Sequence, residues 1–290
     1  MAVLVDGQTK VMIQGITGKQ GSYHTEKMLE YHMDVVAGVA PGKGGQTVFD
    51  VPVYHTVQEA TEKHSIDASL ILVPAPFILP AAMEAIDAKI PLVVLITEHV
   101  PVHDAIKIRE RAREKGIRLV GPNTIGVISP GKGKVGIMPG YIYSEGRIGI
   151  ISRSGTLTHE ISSNLTYRGF GQSTCIGIGG DLAVGMDFVE ALEIFRNDEE
   201  TDLIVMIGEI GGVGEEMAAD YIQKASFPKP IVAYIAGLTA PEGKKMGHAG
   251  AIVSGNMGSA KSKMEALQKS GVKIANTLDE ILEFVEKANK

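Results

Sequence analysis

Val11-Met-Ile-Gln-Gly-Ile-Thr-Gly-Lys-Gln-Gly21 is the stretch that decides the fold of the first half of the chain. Residues 11–14 form a short apolar run that predicts a strand of a buried parallel sheet. Glycines follow at positions 15, 18 and 21, and a helix-like pattern continues to about residue 31. A strand, a glycine turn and a helix in succession direct backbone N–H groups and the positive end of a helix dipole at a phosphate. The stretch therefore predicts a doubly wound domain whose ligand carries phosphate.

The turn and the strand after it indicate which ligand this domain would hold. The glycine spacing is Gly-x-x-Gly-x-x-Gly, not the Gly-x-Gly-x-x-Gly of dinucleotide sites. The second predicted strand, residues 35–40, runs into Pro41-Gly-Lys-Gly-Gly45, where an NAD-binding domain would have an acidic residue. Because a lysine there attracts phosphate, the residues favour a phosphorylated nucleotide such as coenzyme A (CoA) over NAD. A second interpretation stays open, in which the glycines only pack the helix on the strand.

Strands and helices alternate along the chain, which predicts an α/β fold with parallel sheets. In the first half, strands are expected at 68–73, 92–96 and 118–120, and helices at 57–63, 77–88 and 102–115. Ligands of such sheets lie beyond the carboxyl ends of the strands. Three segments fall at those ends: Val73-Pro-Ala-Pro76, Ile96-Thr-Glu98 and Gly121-Pro-Asn123.

The region between residues 129 and 146 predicts a domain boundary. Glycine and proline are dense there, and the hydrophobic periodicity lapses. The chain has 290 residues, enough for two separate cores. We therefore predict a first domain at 1–128, a linker at 129–146 and a second domain at 147–290.

The second domain begins with the apolar run Arg147-Ile-Gly-Ile-Ile-Ser152, followed by the helix start Ser154-Gly-Thr156. Serine at a helix start caps free backbone N–H groups. Those groups and the helix dipole can hold a phosphate, although a plain N-cap needs no function. Further strands are predicted at 173–178, 203–207 and 231–235, and helices at 188–196, 215–224, 259–270 and 278–288.

One histidine stands in a loop of small residues, Gly243-Lys-Lys-Met-Gly-His-Ala-Gly-Ala-Ile-Val-Ser-Gly255. The glycines leave little bulk around His248, and Lys244 and Lys245 add positive charge upstream. An uncrowded, cation-flanked imidazole is suited to accept a phosphoryl group and pass it on. The residues alone leave open a glycine-rich turn with a surface histidine.

Glu209 follows the predicted strand 203–207 and stands among glycines in Gly208-Glu-Ile-Gly-Gly212. A carboxylate at the carboxyl end of a strand is placed to hydrogen-bond a catalytic group. If it holds one imidazole nitrogen, the other stays nucleophilic. A solvated turn glutamate is the alternative interpretation.

Composition and charge narrow the classes of protein. The hydrophobic fraction of 44% is ordinary for a globular chain, and a formal net charge of −6 argues against nucleic acid as the main partner. Cys175 is the only cysteine, so no intrachain disulfide is expected. No group of His, Cys and carboxylates has metal-ligand spacing, so no metal site is expected. We see no signal or transit peptide and no membrane span, and expect a cytoplasmic protein.

The motifs together resemble the alpha subunit of succinyl-CoA synthetase, the succinate–CoA ligase that forms ATP or GTP. The resemblance rests on Pro41-Gly-Lys-Gly-Gly45, Val73-Pro-Ala-Pro76, Ile151-Ser-Arg-Ser-Gly-Thr-Leu-Thr158, Met206-Ile-Gly-Glu-Ile-Gly-Gly212 and Lys244-Lys-Met-Gly-His-Ala-Gly250, in family order. It implies a Rossmann-like CoA-binding domain followed by a flavodoxin-like domain that carries the phosphohistidine loop. It also implies an acid–CoA ligase acting through an acyl phosphate, with a separate beta subunit of ATP-grasp fold that supplies Mg²⁺ and ATP or GTP.

The resemblance also assigns roles to single residues. His248 is implied as the phosphorylated nucleophile and Glu209 as its partner. Phosphate is implied at Ser154, Gly155 and Thr156. The CoA contacts carried over are Thr17, Gly18, Lys19, Gln20, Lys43, Ile96, Thr97 and Glu98.

The acid implied by the resemblance is a small dicarboxylate, with succinate first and malate or another dicarboxylate second. Departures from the family pattern cluster near the reacting end. His99 replaces a common glycine, and His159 stands where the family has a tyrosine credited with substrate contact. A cationic His159 would favour a carboxylate nearby. The sequence also leaves room for a non-catalytic CoA- or nucleotide-sensing protein and for an NAD-dependent enzyme.

Overall fold

The computed structural model describes residues 4–241, 246–253 and 258–288. Loop residues 243–245 and 254–255, which the sequence analysis singled out, lie outside the described residues. The first half contains these elements: β1 (Lys10–Gln14), α1 (Lys19–Leu29), β2 (Asp34–Val39), β3 (Thr47–Val48), β4 (Val51–Tyr54), α2 (Val57–Thr61), β5 (Ala68–Ile71), α3 (Ile78–Asp87), β6 (Leu92–Leu95), α4 (Val102–Lys115) and β7 (Arg118–Val120).

The first sheet has the strand order β3-β4-β2-β1-β5-β6-β7. Without the two-residue β3, this is the 3-2-1-4-5-6 order of dinucleotide-binding folds. The inner strands are apolar on both faces because helices cover both sides: Val11, Met12 and Ile13 in β1 are fully buried. The order reverses between β1 and β5, so the glycine turn after β1 lies at the crevice where such folds bind ligands.

The second half contains β8 (Gly126–Ser129), β9 (Gly133–Gly136), β10 (Glu145–Ser152), α5 (Gly155–Tyr167), β11 (Gln172–Gly177), α6 (Phe188–Arg196), β12 (Leu203–Glu209), α7 (Gly214–Lys224), β13 (Ile231–Ala236), α8 (Ala260–Lys269), β14 (Lys273–Ala275) and α9 (Leu278–Ala288). Their strands form a sheet of order β14-β13-β12-β10-β11-β8-β9. The five strands from β10 to β14 are parallel, in the 2-1-3-4-5 order of flavodoxin-like folds. The predicted pair of α/β domains is confirmed.

Both sheets are mostly parallel, as predicted, and each also has antiparallel strands at an edge. β3 pairs antiparallel with β4, β8 pairs antiparallel with β11, and β8 with β9. Antiparallel strands are added at the sheet edges because a short turn can join them, whereas a parallel strand needs a crossover. The β8–β9 hairpin extends the second sheet and occupies residues 126–136, so part of the segment predicted as a linker is folded into that sheet.

A buried lysine joins the hairpin to the first domain. Lys134 in β9 is 3% exposed, and its Nζ donates to the carbonyl oxygens of Lys27 in α1, at 3.3 Å, and of Met138, at 3.2 Å. The same ammonium lies 5.1 Å from the centre of the Tyr31 ring. Burial away from water lowers the pKa of Lys134 to about 8. The hairpin therefore packs directly against α1, whose first turn lines the ligand crevice.

Among the residues that the structure describes, no helix combines the length and the apolar character needed to span a membrane.

Candidate active site

His248 and Glu209 are in direct contact although 39 positions separate them in the sequence. Glu209 is the last residue of β12, and its side chain is 8% exposed, whereas the imidazole of His248 is 30% exposed. His248 Nδ1 lies 2.7 Å from Glu209 Oε2, a short hydrogen bond. The pairing that the sequence predicted for these two residues is thus present in the geometry.

This hydrogen bond fixes the protonation pattern of the imidazole. A carboxylate oxygen accepts, so Nδ1 carries the proton and donates it, which leaves the lone pair on Nε2. The hydrogen bond to Glu209 raises the pKa of His248 above its ordinary value, against the opposing effect of burial. The pair therefore combines a proton on Nδ1 with a carboxylate that favours positive charge on the ring, and Nε2 is nucleophilic when the ring is neutral.

Arg153 holds the second oxygen of the same carboxylate. Its Nε lies 3.4 Å from Glu209 Oε1, and its side chain is only 10% exposed. Arg153 Nη2 also donates to the carbonyl oxygen of Asp181 at 3.1 Å. Sequence reasoning missed Arg153, although its place directly after β10 was a signal, because polar residues at the carboxyl ends of parallel strands converge.

The segment after β11 supports the face of the imidazole. A Cβ atom added at Gly180 would lie 2.5 Å from the His248 ring, so only glycine fits there. The backbone N–H of Gly250 donates to the carbonyl oxygen of Gly180 at 3.2 Å. Next to it, Asn123 Nδ2 donates to Asp181 Oδ1 at 3.0 Å, while burial raises the pKa of Asp181. The imidazole is therefore held from its edge by Glu209 and from its face by this turn.

A cleft of about 690 Å³ opens in front of His248, between the two domains. The N-terminal half of α1 forms one wall, with Gly18, Lys19 and Gln20 at the helix start and His24 one turn further. The start of α5, with Gly155 and Thr156, forms the opposite wall. Two helix N-termini thus meet at one cleft with a histidine in it, an arrangement suited to negatively charged groups.

The two helix starts differ in how their backbone N–H groups are capped. At α5 the Ser154 side chain accepts a hydrogen bond from Leu157 N at 3.3 Å, so Ser154 acts as the N-cap. At α1 the N-cap is Gly18, which has no side chain to satisfy the first turn. Free N–H groups at a helix start are ready donors for a phosphate.

Comparison with known proteins identifies the family. Residues 6–99 match the CoA binding domain family, and residues 151–273 match the CoA-ligase family. The chain is 55% identical over 285 residues to the succinate–CoA ligase [ADP-forming] subunit alpha 2 of Archaeoglobus fulgidus, covering 98% of this chain and 99% of that protein. It is 53% identical over 295 residues to the corresponding subunit alpha of Aquifex aeolicus, covering 99% and 96%. The chain belongs to the succinate–CoA ligase alpha subunit family.

A solved structure shares the fold of this alpha subunit family member. ATP citrate lyase from Methanosaeta concilii, in complex with (3S)-citryl-CoA, superposes with a TM-score of 0.91 over 98% of this chain and 50% of that chain. The sequence identity is 23%, so this likeness concerns the fold. The names of the close relatives support the ligase interpretation over a sensor protein or a dehydrogenase.

The cleft brings together most of the residues that the alpha subunit resemblance assigned. Lining it are Gly18, Lys19, Gln20, Ile96, Thr97, Glu98, Gly155, Thr156 and His248. An adjoining cavity of about 420 Å³ shares Gly18 with the cleft and is lined by Thr17 and Lys43, with the apolar Phe77 at its side. The two adjoining spaces, called the ligand path below, are lined at one side by Lys43 and at the other by His248.

His159 lies apart from this path. It sits in α5, where its ring packs edge-on against Tyr143 with 6.3 Å between ring centres. Its Nε2 is buried without a hydrogen-bond partner among the described residues. Burial lowers the pKa of His159, which opposes the cationic form considered from the sequence. The assignment of His159 to the substrate stays a prediction.

In the part of the chain that the structure describes, groups of three or more His, Cys, Asp or Glu side chains are not arranged to hold a metal ion.

Proposed function

We propose that this chain is the phosphoryl-carrying subunit of an ADP-forming succinate–CoA ligase, which interconverts succinate, CoA and ATP with succinyl-CoA, ADP and phosphate. The observation that carries the proposal is the hydrogen bond of His248 to Glu209 at a cleft lined by the starts of α1 and α5. That arrangement supports a histidine that meets a phosphate group and a CoA thioester in one space.

The reaction is simplest to follow in the direction that starts from succinyl-CoA and phosphate. Phosphate attacks the thioester carbon, the C–S bond breaks, and CoA leaves as thiolate with succinyl phosphate as product. His248 Nε2 then attacks phosphorus, the P–O bond to the acyl group breaks, and succinate leaves. The ring now carries phosphate on Nε2 and a proton on Nδ1, so it is cationic and is stabilised by Glu209. Covalent storage of this kind divides one difficult transfer into easier steps.

The start of α5 is suited to the phosphoryl group in this scheme. Gly155 and Thr156 lie across the cleft from the first domain, and Ser154 orders the first turn. Backbone N–H groups that are fixed before the reaction stabilise developing negative charge without reorganisation. We assign Ser154, Gly155 and Thr156 to phosphate on this basis.

CoA is assigned to the first domain. The uncapped start of α1 with Lys19 and Gln20 would hold its phosphates, and Lys43 lies at the far cavity where a further phosphate would be attracted. Ile96, Thr97 and Glu98 line the cleft on the route to His248. The thiol end of CoA would then reach the space in front of the imidazole.

The nucleotide and Mg²⁺ are assigned to a beta subunit of ATP-grasp fold, so the active enzyme is a heteromer. The relatives are named alpha subunits, which supports a partner. Phosphohistidine would carry the phosphoryl group to the nucleotide that the partner holds. The preference for ADP follows the relatives' names, and the cytoplasmic location stays a prediction.

The test is phosphorylation at His248. The chain, with its partner subunit, is mixed with succinyl-CoA and labelled phosphate, and acid-labile label is expected on His248. His248→Asn should accept none while binding CoA with unchanged affinity. Label that persists in His248→Asn would contradict the proposal. The isolated chain should bind CoA but should not turn over ATP, succinate and CoA.

A further inference from the structure

Glu215 and Lys263 form an ion pair that is wholly excluded from solvent behind the active site. Each side chain is 0% exposed, and the contact of Lys263 Nζ with Glu215 Oε2 joins the first turns of α7 and α8. Replacing both members of a buried ion pair with apolar residues is often neutral or even stabilising. Fold stability alone is therefore a weak reason for such a pair, and its neighbours offer a better one.

The neighbours of the pair are backbone groups on either side of Ile210. Glu215 Oε1 accepts a hydrogen bond from the backbone N–H of Glu209 at 3.0 Å. Lys263 Nζ donates to the carbonyl oxygen of Gly211 at 2.7 Å. The two charges thus hold both ends of the tripeptide 209–211, which carries the carboxylate that meets His248.

The sheet itself cannot hold the Glu209 N–H group. The last pairing of β12 with β10 is Ile207 with Ser152, and Arg153 N donates to Ile207 O at 3.0 Å. Backbone groups two residues apart along a strand point to the same side. The N–H of Glu209 therefore points to where β10 has already turned away into α5, and Glu215 supplies the acceptor that a strand would otherwise provide.

The same tripeptide also supports the histidine loop. The N–H of Gly211 donates to Gly258 O at 2.7 Å. A Cβ atom at Gly211 would overlap the carbonyl oxygen of Gly250, two residues after His248. A change in the course of residues 209–211 would consequently move the carboxylate and the loop that carries the imidazole.

We propose that Glu215 and Lys263 are positioning residues for phosphoryl transfer. They fix the backbone of Glu209 so that its carboxylate accepts the hydrogen bond from His248 Nδ1–H, which keeps the lone pair for phosphorus on Nε2. Neither side chain touches the reacting atoms, and the effect passes through Glu209. The inference rests on the proposed phosphohistidine function, and it adds what holds the geometry in place.

The test variant is the double substitution Glu215→Leu with Lys263→Met, in the complex with the partner subunit. It removes both charges of the pair together, so neither Glu215 nor Lys263 is left buried without the other. Because a misplacement of about 1 Å costs on the order of 100-fold in rate, we expect single-turnover phosphorylation of His248 to slow about 10- to 100-fold. The affinity for CoA should not change.

Glu216→Gln is the matched control. Glu216 lies in the same turn of α7, 4.0 Å from Lys263 Nζ, and its Oε1 accepts from Ser262 Oγ at 3.2 Å. Neither contact is to the backbone of residues 209–211, and Glu216 is the more distant of the two carboxylates near Lys263. We expect Glu216→Gln to phosphorylate at the wild-type rate. An equal loss in this control would assign the effect to general packing of α7 on α8 and overturn the proposal.

A spectroscopic measurement separates positioning from a merely structural role. The ¹⁵N shifts of labelled imidazoles, with the His248 signals identified by their loss in His248→Asn, report which ring nitrogen carries the proton. Wild type should have His248 protonated at Nδ1 and free at Nε2, and the double variant should lose this preference. The acid limb of the pH profile, where the phosphorylation rate falls as His248 becomes protonated, should also move to lower pH. The reason is that the carboxylate no longer stabilises the imidazolium.

The outcomes separate this inference from the proposed function. A wild-type complex that takes no label would refute the phosphohistidine function. If the wild-type complex is labelled, and the folded double variant phosphorylates at the wild-type rate with the wild-type tautomer, only the positioning role is refuted. If neither the double variant nor Glu215→Gln folds, the pair serves folding and the proposal is wrong.

Discussion

Arg153 and His248 contact opposite oxygens of one carboxylate, that of Glu209. Arg153 Nε lies 3.4 Å from Oε1, and His248 Nδ1 lies 2.7 Å from Oε2. The arginine follows β10 and the glutamate ends β12, which are neighbours in the sheet. The ends of two neighbouring parallel strands thus place a cation and an anion side by side. His248, from a loop that is distant in the sequence, contacts the other oxygen of that anion. The two charges act on the imidazole with opposite sign.

Glu209→Gln should shift the pH dependence of phosphorylation to lower pH. The hydrogen bond to Glu209 raises the pKa of His248, so in wild type the imidazolium persists to higher pH and blocks attack by Nε2. An amide has no charge to support the imidazolium, so the acid limb should fall to lower pH. Without the carboxylate the plateau rate should also drop, by about 100-fold or more. Single-turnover labelling between pH 5.5 and 8.5, ~0.5 pH unit apart, measures both effects. An unmoved acid limb would show that Glu209 does not govern the imidazole.

Arg153→Met should move the acid limb in the other direction. The positive charge of Arg153 lowers the pKa of His248, so its removal should raise that pKa further and shift the limb to higher pH. The rate should fall as well, because Glu209 loses the partner of its second oxygen. The same labelling series tests the sign, with CoA affinity as the control for folding. Shifts of equal sign in Arg153→Met and Glu209→Gln would contradict the arrangement of charges.

Lys43→Ala should weaken CoA binding. Lys43 lines the cavity that continues the cleft, and a charge-assisted hydrogen bond contributes about 1.5–3 kcal/mol, or tenfold and more in affinity. The loss should be largest at low salt, where charges are least screened. Calorimetry with CoA measures it, and Lys107→Ala, which removes an exposed charge from α4, is the control. Equal affinities for Lys43→Ala and wild type would exclude this lysine from the site.

Lys134→Met should abolish a rise in stability at alkaline pH. In the folded chain the pKa of Lys134 is lowered to about 8, from the ordinary 10.5. Between these two values the unfolded chain binds more protons, so the free energy of unfolding should increase as pH rises from about 8 to about 10.5. The variant has no such group and should lack that part of the slope. Melting temperatures of both proteins across this range, at constant ionic strength, test the sign; parallel curves would refute it.

The sequence predicted the elements that end at the cleft better than those at the sheet edges. Buried runs such as residues 92–96 and 203–207, with helical patterns between them, indicated parallel strands whose carboxyl ends converge. β8 and β9 were missed because each has only four residues, in a glycine-rich segment with no readable alternation. They join the second sheet because β8 pairs antiparallel with β11, a contact between residues that are distant in the sequence.

In the candidate site, the residues that belong to sequence motifs were predictable, whereas the residues that hold them in position were not. His248 and Glu209 stand next to glycines that the sequence displays, one in a loop and the other at the end of β12. Lys263 was not singled out, since a lysine in an amphipathic helix is usually solvated, and only the tertiary structure places it at 0% exposure beside Glu215. Its role depends on where β10 ends relative to β12, a relationship between two strands that no local pattern contains.

The choice of acid is the remaining prediction. We expect kcat/KM, measured with the partner subunit, to be highest for succinate, with malate next and acetate below both, because acetate lacks a second carboxylate. Itaconate and glutarate complete the series as dicarboxylates of other shape. Acetate above every dicarboxylate would contradict the proposal.

His159→Tyr tests whether the tyrosine position of the family selects the acid in this chain. His159 packs on Tyr143 and its pKa is lowered by burial, so near neutral pH it offers no charge to a carboxylate. From this geometry we expect the ranking of acids to persist in the variant. The larger ring should instead disturb the packing against Tyr143 and lower the melting temperature. A reordered ranking at unchanged stability would show that position 159 contacts the acid in the assembled enzyme, as the resemblance implies.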